Sequence, residues 1–313
     1  MIVVAWNSAA DLASAVTSVP REVPVVVVDN ASTDGSADVA RAAGARVVAL
    51  PGNTGFGPAC NAGAEAASRE LADVQAFLFL NPDAALVDGE RALAVLRDEL
   101  ARDPSLGAVA PRLEGKDQDL FQLRKLPTFS SLFREAFLVN RLWPRNPWLR
   151  RERYLDRNRE EPFDVEQPAG AALLVRRDVF EALGGFDAAF APAWFEDVDL
   201  CARIWQSGRR IRYVPASRAT HVGGTTMRRL PYADYLPLYT RNLLRYMARH
   251  FGAVSRVASR AVLLLGTLLR LALLPFVKGD HARGDAAQAY LRVTRGLFGF
   301  GFESALIDPA GAA

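Results

Sequence analysis

Cysteine is almost absent from the 313 residues: Cys60 and Cys201 stand alone, each among apolar helical residues and in no paired spacing. That excludes a disulfide framework and a cysteine-based zinc motif, and it fits buried thiols in a reducing compartment. Charge of one sign is lacking too, because a net +3 is too small to mark a nucleic-acid binder. Met1 to Asn7 has neither the basic start nor the long apolar core of a secretion signal, and reads as a strand instead. No internal repeat or low-complexity tract is present. An uninterrupted apolar run of about 20 residues, which a membrane span wants, is also missing, since Arg270 breaks the one candidate. With 50% apolar and 23% charged residues, a sizeable core is available to one large α/β domain, or to a domain with an appendage.

What is present begins with short continuous apolar runs. Val3–Trp6 is a short apolar run and Arg46–Leu50 a strand, while Val25–Val28 and Phe77–Leu80 are too hydrophobic for half-exposed strands and read as buried ones, Phe77–Leu80 on both faces. Helical stretches separate them at residues 9–18, from Ser36 to about Gly44, and through residue 72 after a glycine-punctuated loop at residues 51–63. Repeated strand, loop and helix predict an α/β fold: a mixed, mainly parallel sheet with helices on both faces. Asp88 is expected to cap a helix reaching about Arg102, with a further buried run at Gly107–Val109. Residues 168–175 carry small side chains that allow close backbone approach. Asp178 with Glu181 reads as a capping box, and Gly184-Gly185 as the stop of that helix. A helix starting at Phe195-Glu196-Asp197 places Val198, Cys201, Ile204 and Trp205 on one face and ends at Gly208; Arg210–Val214 is another strand.

Three acidic elements punctuate this pattern: Asp29 to Asp34 after the second strand, Asp83 after the fourth, and Glu196-Asp197-Val198-Asp199 at a helix start. In open α/β sheets, ligands bind outside the carboxyl ends of strands, so Asp83 is a candidate for a cation that grips phosphate. Asn81-Pro82-Asp83 is also simply a good turn. Acids in a first helical turn are favoured by the helix dipole, which accounts for Asp199 but less well for three acids in four residues. A carboxylate beside a metal-diphosphate site is what a group transfer from a diphosphate needs, because the attacking hydroxyl must lose a proton.

Taken together, Trp6-Asn7, the stretch from Val28 to Ser36, Asn53-Thr54-Gly55-Phe56-Gly57 with Asn61 and Gly63, and Leu80 to Asp83 form an ordered series. It continues with Gly184-Gly185-Phe186-Asp187, Glu196 to Leu200, and His221 with Gly223-Gly224. The series resembles the inverting, family 2 nucleotide-sugar glycosyltransferases of the GT-A fold, and within them the bacterial rhamnosyltransferase-like branch. The resemblance covers roughly residues 1–230. It implies that Asp29 meets the nucleobase or ribose with Asp34 nearby, and that Asn53 and Gly55 shape the nucleotide pocket. Trp6, Asn7, Asn30, Ser32, Asn61 and Asn81 belong to the same donor-binding set. Asp83 matches the last acid of the family's metal motif and His221 a position that helps hold metal or diphosphate, so a divalent cation, Mg2+ or Mn2+, is implied. Asn81 stands where the first acid of that motif is expected, which weakens the metal site by one charge. Asp197 matches the catalytic base, and Glu196 orients base or acceptor.

Two further regions remain. Residues 115–165 form a basic, aromatic insert on the acceptor side, with Arg134, Arg141, Arg145, Arg150, Arg151 and Arg153 among Phe137, Trp143, Trp148 and Tyr154; it is a solvated insert or a lid facing anionic groups. Residues 231–313 are helical, and at about 100° per residue Arg245, Arg249, Arg256, Arg260 and Arg270 fall on one stripe of an unbroken helix; Gly252, Gly266 and Pro275 are points where it can bend or split, so the stripe is firmest from Arg256 to Arg270. Such a stripe at residues 241–278 suits a helix lying on a membrane surface; the alternatives are a hairpin packed on the catalytic domain or a homodimer contact. Residues 285–296 make a last amphipathic helix. The expectation is a cytoplasmic enzyme, peripheral on the inner face of the cell membrane. It would move a sugar, L-rhamnose from its thymidine diphosphate, to a lipid-linked or polysaccharide acceptor. Its rivals are a sugar-phosphate nucleotidyltransferase, disfavoured because Asn7-Ser8-Ala9-Ala10 is no basic glycine-rich loop, and a nucleotide- or glycan-binding module without turnover.

Overall fold

The structure is a computed structural model that describes residues 1–116, 118–223, 230–276 and 281–302. Gly224–Thr226, at the end of the loop after His221, and Val277–Lys278, at the end of the arginine-bearing segment, lie outside the described residues. The chain divides into two compact units, residues 1–126 with 151–223, and residues 127–150 with the described chain after Gly223.

Along the chain run β1 (Ile2–Ala5), α1 (Ala9–Thr17), β2 (Val26–Asp29), α2 (Ser36–Ala42), β3 (Arg46–Ala49), α3 (Phe56–Glu70) and β4 (Ala76–Leu80). Then come β5 (Ala84–Val87), α4 (Gly89–Arg102), β6 (Leu106–Glu114), α5 (Gln118–Phe121), β7 (Leu123–Arg124) and three short helices, α6 (Phe129–Ala136), α7 (Val139–Leu142) and α8 (Pro147–Glu152). The first unit closes with β8 (Phe163–Asp164), β9 (Gln167–Pro168), β10 (Ala172–Arg176), α9 (Arg177–Ala182), α10 (Glu196–Gln206) and β11 (Arg210–His221). Helices α11 (Tyr232–Leu273) and α12 (Arg283–Leu297) belong to the second.

The sheet order among the described residues is β3-β2-β1-β4-β10-β6-β11-β5, with β8 against β11. Strands β3, β2, β1 and β4 are parallel, as are β6 and β11, while β10, β5 and β8 run antiparallel to their neighbours. The apolar runs of β1, β2 and β4 are buried, whereas β3, at the end of the sheet, is half-exposed, with Arg46 and Ala49 open to solvent. Ile2, Val4, Val26, Val28, Phe77 and Phe79 point to one face, where α3, α9 and α10 pack; Val3, Ala5, Val27, Leu78 and Leu80 point to the other, under α1, α2 and α4. This is the two-sided α/β architecture expected from the runs.

Several local expectations change. Strand β6 extends from Leu106 to Glu114 and β11 from Arg210 to His221, both well beyond the apolar cores that marked them. The reason is a register shift between Val214 and Arg218, which lets β11 bulge past Pro215 and resume pairing. Strand β5, whose burial alternates, was not read from the sequence. Asp88 adopts a left-handed conformation, φ 51°, and its side chain caps nothing. The capping box at Asp178 does not form either: the helix starts at Arg177, and Glu181 accepts from Arg177 Nε at 2.7 Å.

In the second unit, α11 is not one helix. Gly252, with φ 80° and ψ 179°, interrupts it, so the arginine stripe computed for an unbroken helix is divided in two. Two of its members serve intrachain contacts. Arg260 donates to the carbonyls of Leu297 and Gly296 at the end of α12, and Arg270 to those of Ala136, Glu135 and Gly266. Arg260 thus reaches the carbonyl end of α12, and Arg270 that of α6.

Candidate active site

The parallel strands deliver their carboxyl ends to one sheet edge, and the site is built there. Ala5 of β1 lies opposite Asp29 of β2, which lies opposite Ala49 of β3. Because β10 is antiparallel to β4, its amino end reaches the same edge, with Ala172 opposite Leu80. The Asn81 N–H continues the ladder to the Ala171 carbonyl at 2.8 Å. One residue back, the Gly170 N–H donates to Asp197 Oδ2 at 3.2 Å. Asp197, in the first turn of α10, is thereby bonded to the backbone that borders the exit of Asn81-Pro82-Asp83 from β4.

Gly170 is the close approach that the small residues of 168–175 allow: a Cβ there would lie 3.0 Å from both Cβ and Oδ2 of Asp197. Asp197 Oδ2 also accepts from Gln167 Nε2 at 3.3 Å, and Oδ1 from the Val198 N–H at 2.8 Å. Burial pushes the Asp197 carboxyl up, opposed by those N–H donors and by the charge of Arg124. Glu196, 8% exposed, is pushed well above its ordinary value, by burial first and by the adjacent Asp197 second. Its Oε2 has no hydrogen-bond partner among the described residues. Of two neighbouring acids, the one with donors on both oxygens ionises first, so Asp197 carries the charge and Glu196 keeps its proton.

The third acid has a structural job. Asp199 is fully buried and accepts from Arg203 Nε at 2.7 Å, while Arg203 also donates to the carbonyls of Leu183 and Gly185, each at 2.9 Å. It fastens α10 to the glycine turn after α9.

The donor-side residues knit the strand-end loops together. Asn7, at φ 51°, donates its N–H to Ser32 Oγ at 3.0 Å and accepts from the Thr33 N–H at 2.8 Å. Asp29 Oδ1 accepts from the Ser32 N–H at 3.3 Å, and Trp6 lies partly exposed beside this loop pair, 36% accessible. Asp34 accepts from the N–H groups of Ala9 and Ser36 and from the Ser36 hydroxyl. Partial desolvation raises its carboxyl, and these donors outweigh that to hold it below its ordinary value. Asn30, 2% exposed, accepts from the Thr54 N–H at 2.9 Å and donates to Asn53 Oδ1 at 2.8 Å and to the Gly55 carbonyl. Asn61 spends its amide on Phe186, accepting from its N–H at 2.9 Å and donating to its carbonyl at 2.8 Å. Asn30, Asp34 and Asn61 thus act on backbone, while Trp6 and Asp29 border the edge itself.

At the far side, Ala84 pairs with His221 across β5 and β11, which places Asp83 beside that imidazole: His221 Nε2 lies 3.4 Å from Asp83 Oδ1. His221 Nδ1 is buried without a hydrogen-bond partner among the described residues. An oxygen donor and a nitrogen donor at one spot fit a cation shared with a diphosphate, which commonly takes only one or two protein ligands. They do not amount to a cage, and no group of three metal-ligating side chains occurs among the described residues.

Gln167 and Arg124 were not anticipated. They are cross-strand partners in the small β7–β9 ladder, and nothing in the sequence marks a two-residue strand.

The geometry is that of a sugar-nucleotide transferase, and the chain belongs to glycosyl transferase family 2, whose sequence model matches residues 1–184. It is a glycosyltransferase. It is 31% identical over 255 residues to N-acetylglucosaminyl-diphospho-decaprenol L-rhamnosyltransferase of Mycobacterium tuberculosis, covering 77% of this chain and 80% of that protein. It is 29% identical over 178 residues to rhamnosyltransferase WbbL of Escherichia coli, covering 57% of this chain and 63% of that protein. The crystal structure of GalNAc-T7 with UDP, GalNAc and Mn2+ superposes with a TM-score of 0.53 at 17% identity, over 81% of this chain and 50% of that one, which shows a shared fold.

The buried Glu196 predicts a pH-dependent cost. Below the ordinary carboxylate value both folded and unfolded chains hold its proton; above it the unfolded chain releases one that the folded chain retains, so stability falls as pH rises toward the folded value. Glu196→Gln removes that slope. Urea unfolding between pH 4 and 8 should show the variant gaining on the wild type as pH rises, whereas a constant difference would mean that Glu196 titrates as an exposed acid.

Proposed function

We propose that the protein moves L-rhamnose, with inversion, from thymidine-diphosphate rhamnose to a lipid-linked or polysaccharide acceptor in cell-envelope glycan synthesis. The observation that carries the reading is the Asp197 carboxylate, held by the Gly170 N–H bordering the end of β4, the Val198 N–H of its own helix and the Gln167 side-chain amide. The donor is favoured by the likeness to two rhamnosyltransferases, and the lipid-diphosphate acceptor by the substrate in the name of the mycobacterial relative.

In the transfer, an acceptor hydroxyl attacks the anomeric carbon and gives its proton to Asp197. The anomeric carbon–oxygen bond to the diphosphate breaks, and the nucleoside diphosphate leaves with the electron pair. Asp83 and His221 would hold the divalent cation, Mg2+ or Mn2+, whose chemistry there is to offset charge on the leaving diphosphate. Asn81 contributes an amide where a second carboxylate is expected, so the site binds that cation with one protein charge fewer. Gln167 and Gly170 keep the base oriented, and protonated Glu196 spares Asp197 a second negative neighbour.

No described helix is long and apolar enough to cross a membrane. The proposed contact with the inner face of the cell membrane rests instead on the apolar residues after Gly252, where Val254 is 85% and Val257 68% exposed. Attachment there would keep the enzyme cytoplasmic and near a polyprenyl-linked acceptor.

Three outcomes are expected. Asp197→Asn should lower kcat by about 10²–10⁴-fold with little change in donor KM; wild-type turnover in that variant would remove Asp197 from the base's role. In thermal-shift titrations with Mg2+ or Mn2+, thymidine-diphosphate rhamnose should raise Tm at lower concentration than uridine-diphosphate sugars. The opposite order would replace the donor while leaving the class. In vesicle flotation, Val254→Glu and Val257→Glu should release the protein, and an unchanged floated fraction would remove this segment as the anchor.

A further inference from the structure

The second unit contains a cavity of about 410 Å³ whose lining includes Arg241, Arg245, Arg256 and Arg260 together with Leu244 and Phe302. We infer that this cavity is a binding site for the phosphate or diphosphate head of an amphiphile, separate from the sugar-transfer edge of the sheet.

The break at Gly252 assembles it. Arg241 and Arg245 lie one turn apart before the break, Arg256 and Arg260 one turn apart after it, and the non-helical geometry of Gly252 brings the two pairs to one hollow. Without the break the segments would run on in a straight line and present the four guanidiniums along a rod.

The hollow is built rather than incidental. Asn242 is fully buried, and its Oδ1 accepts from Arg241 Nε at 3.2 Å and from Arg245 Nη1 at 3.3 Å, so one amide sets the attitude of both guanidiniums. Arg260 is fixed by the carbonyls of Leu297 and Gly296. The ring of Phe302 rests on Gly296, where a Cβ would collide with it. Burial, followed by the neighbouring charge of Arg245, lowers Arg241 to about 10. Guanidiniums from both segments of α11 line one hollow, where a phosphate meets more than one of them.

The lining also selects the anion. Planar guanidinium forks match phosphate oxygens in pairs. Leu244 and Phe302 offer apolar surface to whatever follows the phosphate, which suits a headgroup carrying methylenes over a nucleotide or a free inorganic ion. The sources sharing this chemistry are a polyprenyl phosphate and an anionic phospholipid. The inference does not rest on the proposed donor, acceptor or base.

The test uses the full chain, with inorganic diphosphate titrated by thermal shift in the absence of divalent cations. Losing two charge-assisted contacts, Arg245→Gln/Arg256→Gln should raise the diphosphate Kd about tenfold or more. Arg249→Gln/Arg295→Gln, which removes equal charge from exposed positions of α11 and α12 outside the cavity lining, should shift it by less than about twofold. Equal weakening in both pairs would reduce the effect to diffuse charge, and no weakening in either would place the anion elsewhere, the catalytic edge included; each overturns the inference. Should the double variant fail to fold, Arg256→Gln alone at an exposed position carries the same comparison. Because turnover is not measured, failure here is distinct from failure of the sugar-transfer reading. In flotation, cavity-dependent retention on neutral vesicles doped with a polyprenyl phosphate would identify the acceptor as the occupant. Retention on phosphatidylglycerol at equal charge would identify bulk lipid, and cavity-dependent retention on neither would overturn the amphiphile.

Discussion

One antiparallel strand holds the site together. Strand β10 enters between β4 and β6 against the direction of both, so its amino end meets the carboxyl end of β4. A fully parallel sheet would place that end on the opposite side, some 17 Å away for a five-residue strand. As built, consecutive residues Gly170 and Ala171 bond to Asp197 and to Asn81. Asp197 and the exit of β4 are thereby registered by hydrogen bonds from two adjoining main-chain groups, one of them to the Asp197 side chain.

The second organising fact is the unequal treatment of three clustered acids. Asp199 is neutralised by Arg203, Glu196 is buried without a partner for Oε2 among the described residues, and Asp197 is surrounded by N–H donors. Three side chains of nearly identical chemistry acquire three settings from their surroundings alone: an ion pair, a buried acid pushed well above its ordinary value, and a carboxyl ringed by N–H donors. Helix-dipole stabilisation accounts for acids in that turn, but not for the differences among them.

Much of this was legible in the sequence where the determinants are local. Val25–Val28 and Phe77–Leu80 are buried on both faces as their composition requires, and the small residues near Gly170 do permit close approach. What stayed hidden depends on pairing partners distant in sequence. A run such as Ala84–Val87 becomes a strand because β11 bulges past Pro215 to reach it, and Gln167 meets Asp197 because β7 fixes β9. Angular bookkeeping on α11 holds only between breaks: Gly252, one of the residues expected to bend or split the helix, resets the phase, so Arg245 and Arg249 before it are no longer held to the stripe of Arg256, Arg260 and Arg270 after it. Expected caps at Asp88 and Asp178 failed because Asp88 takes a left-handed backbone conformation and the helix at Asp178 already begins at Arg177.

Asn61 has a wider effect than its two hydrogen bonds suggest. Its grip on both backbone groups of Phe186, with Gly55 seated against Pro192 and Phe56 N–H bonded to the Pro192 carbonyl, welds the helix behind the nucleotide loop to the segment leading into α10. The two halves of the cleft therefore travel as one piece. Displacing the loop before α3 displaces the approach to Asp197 as well.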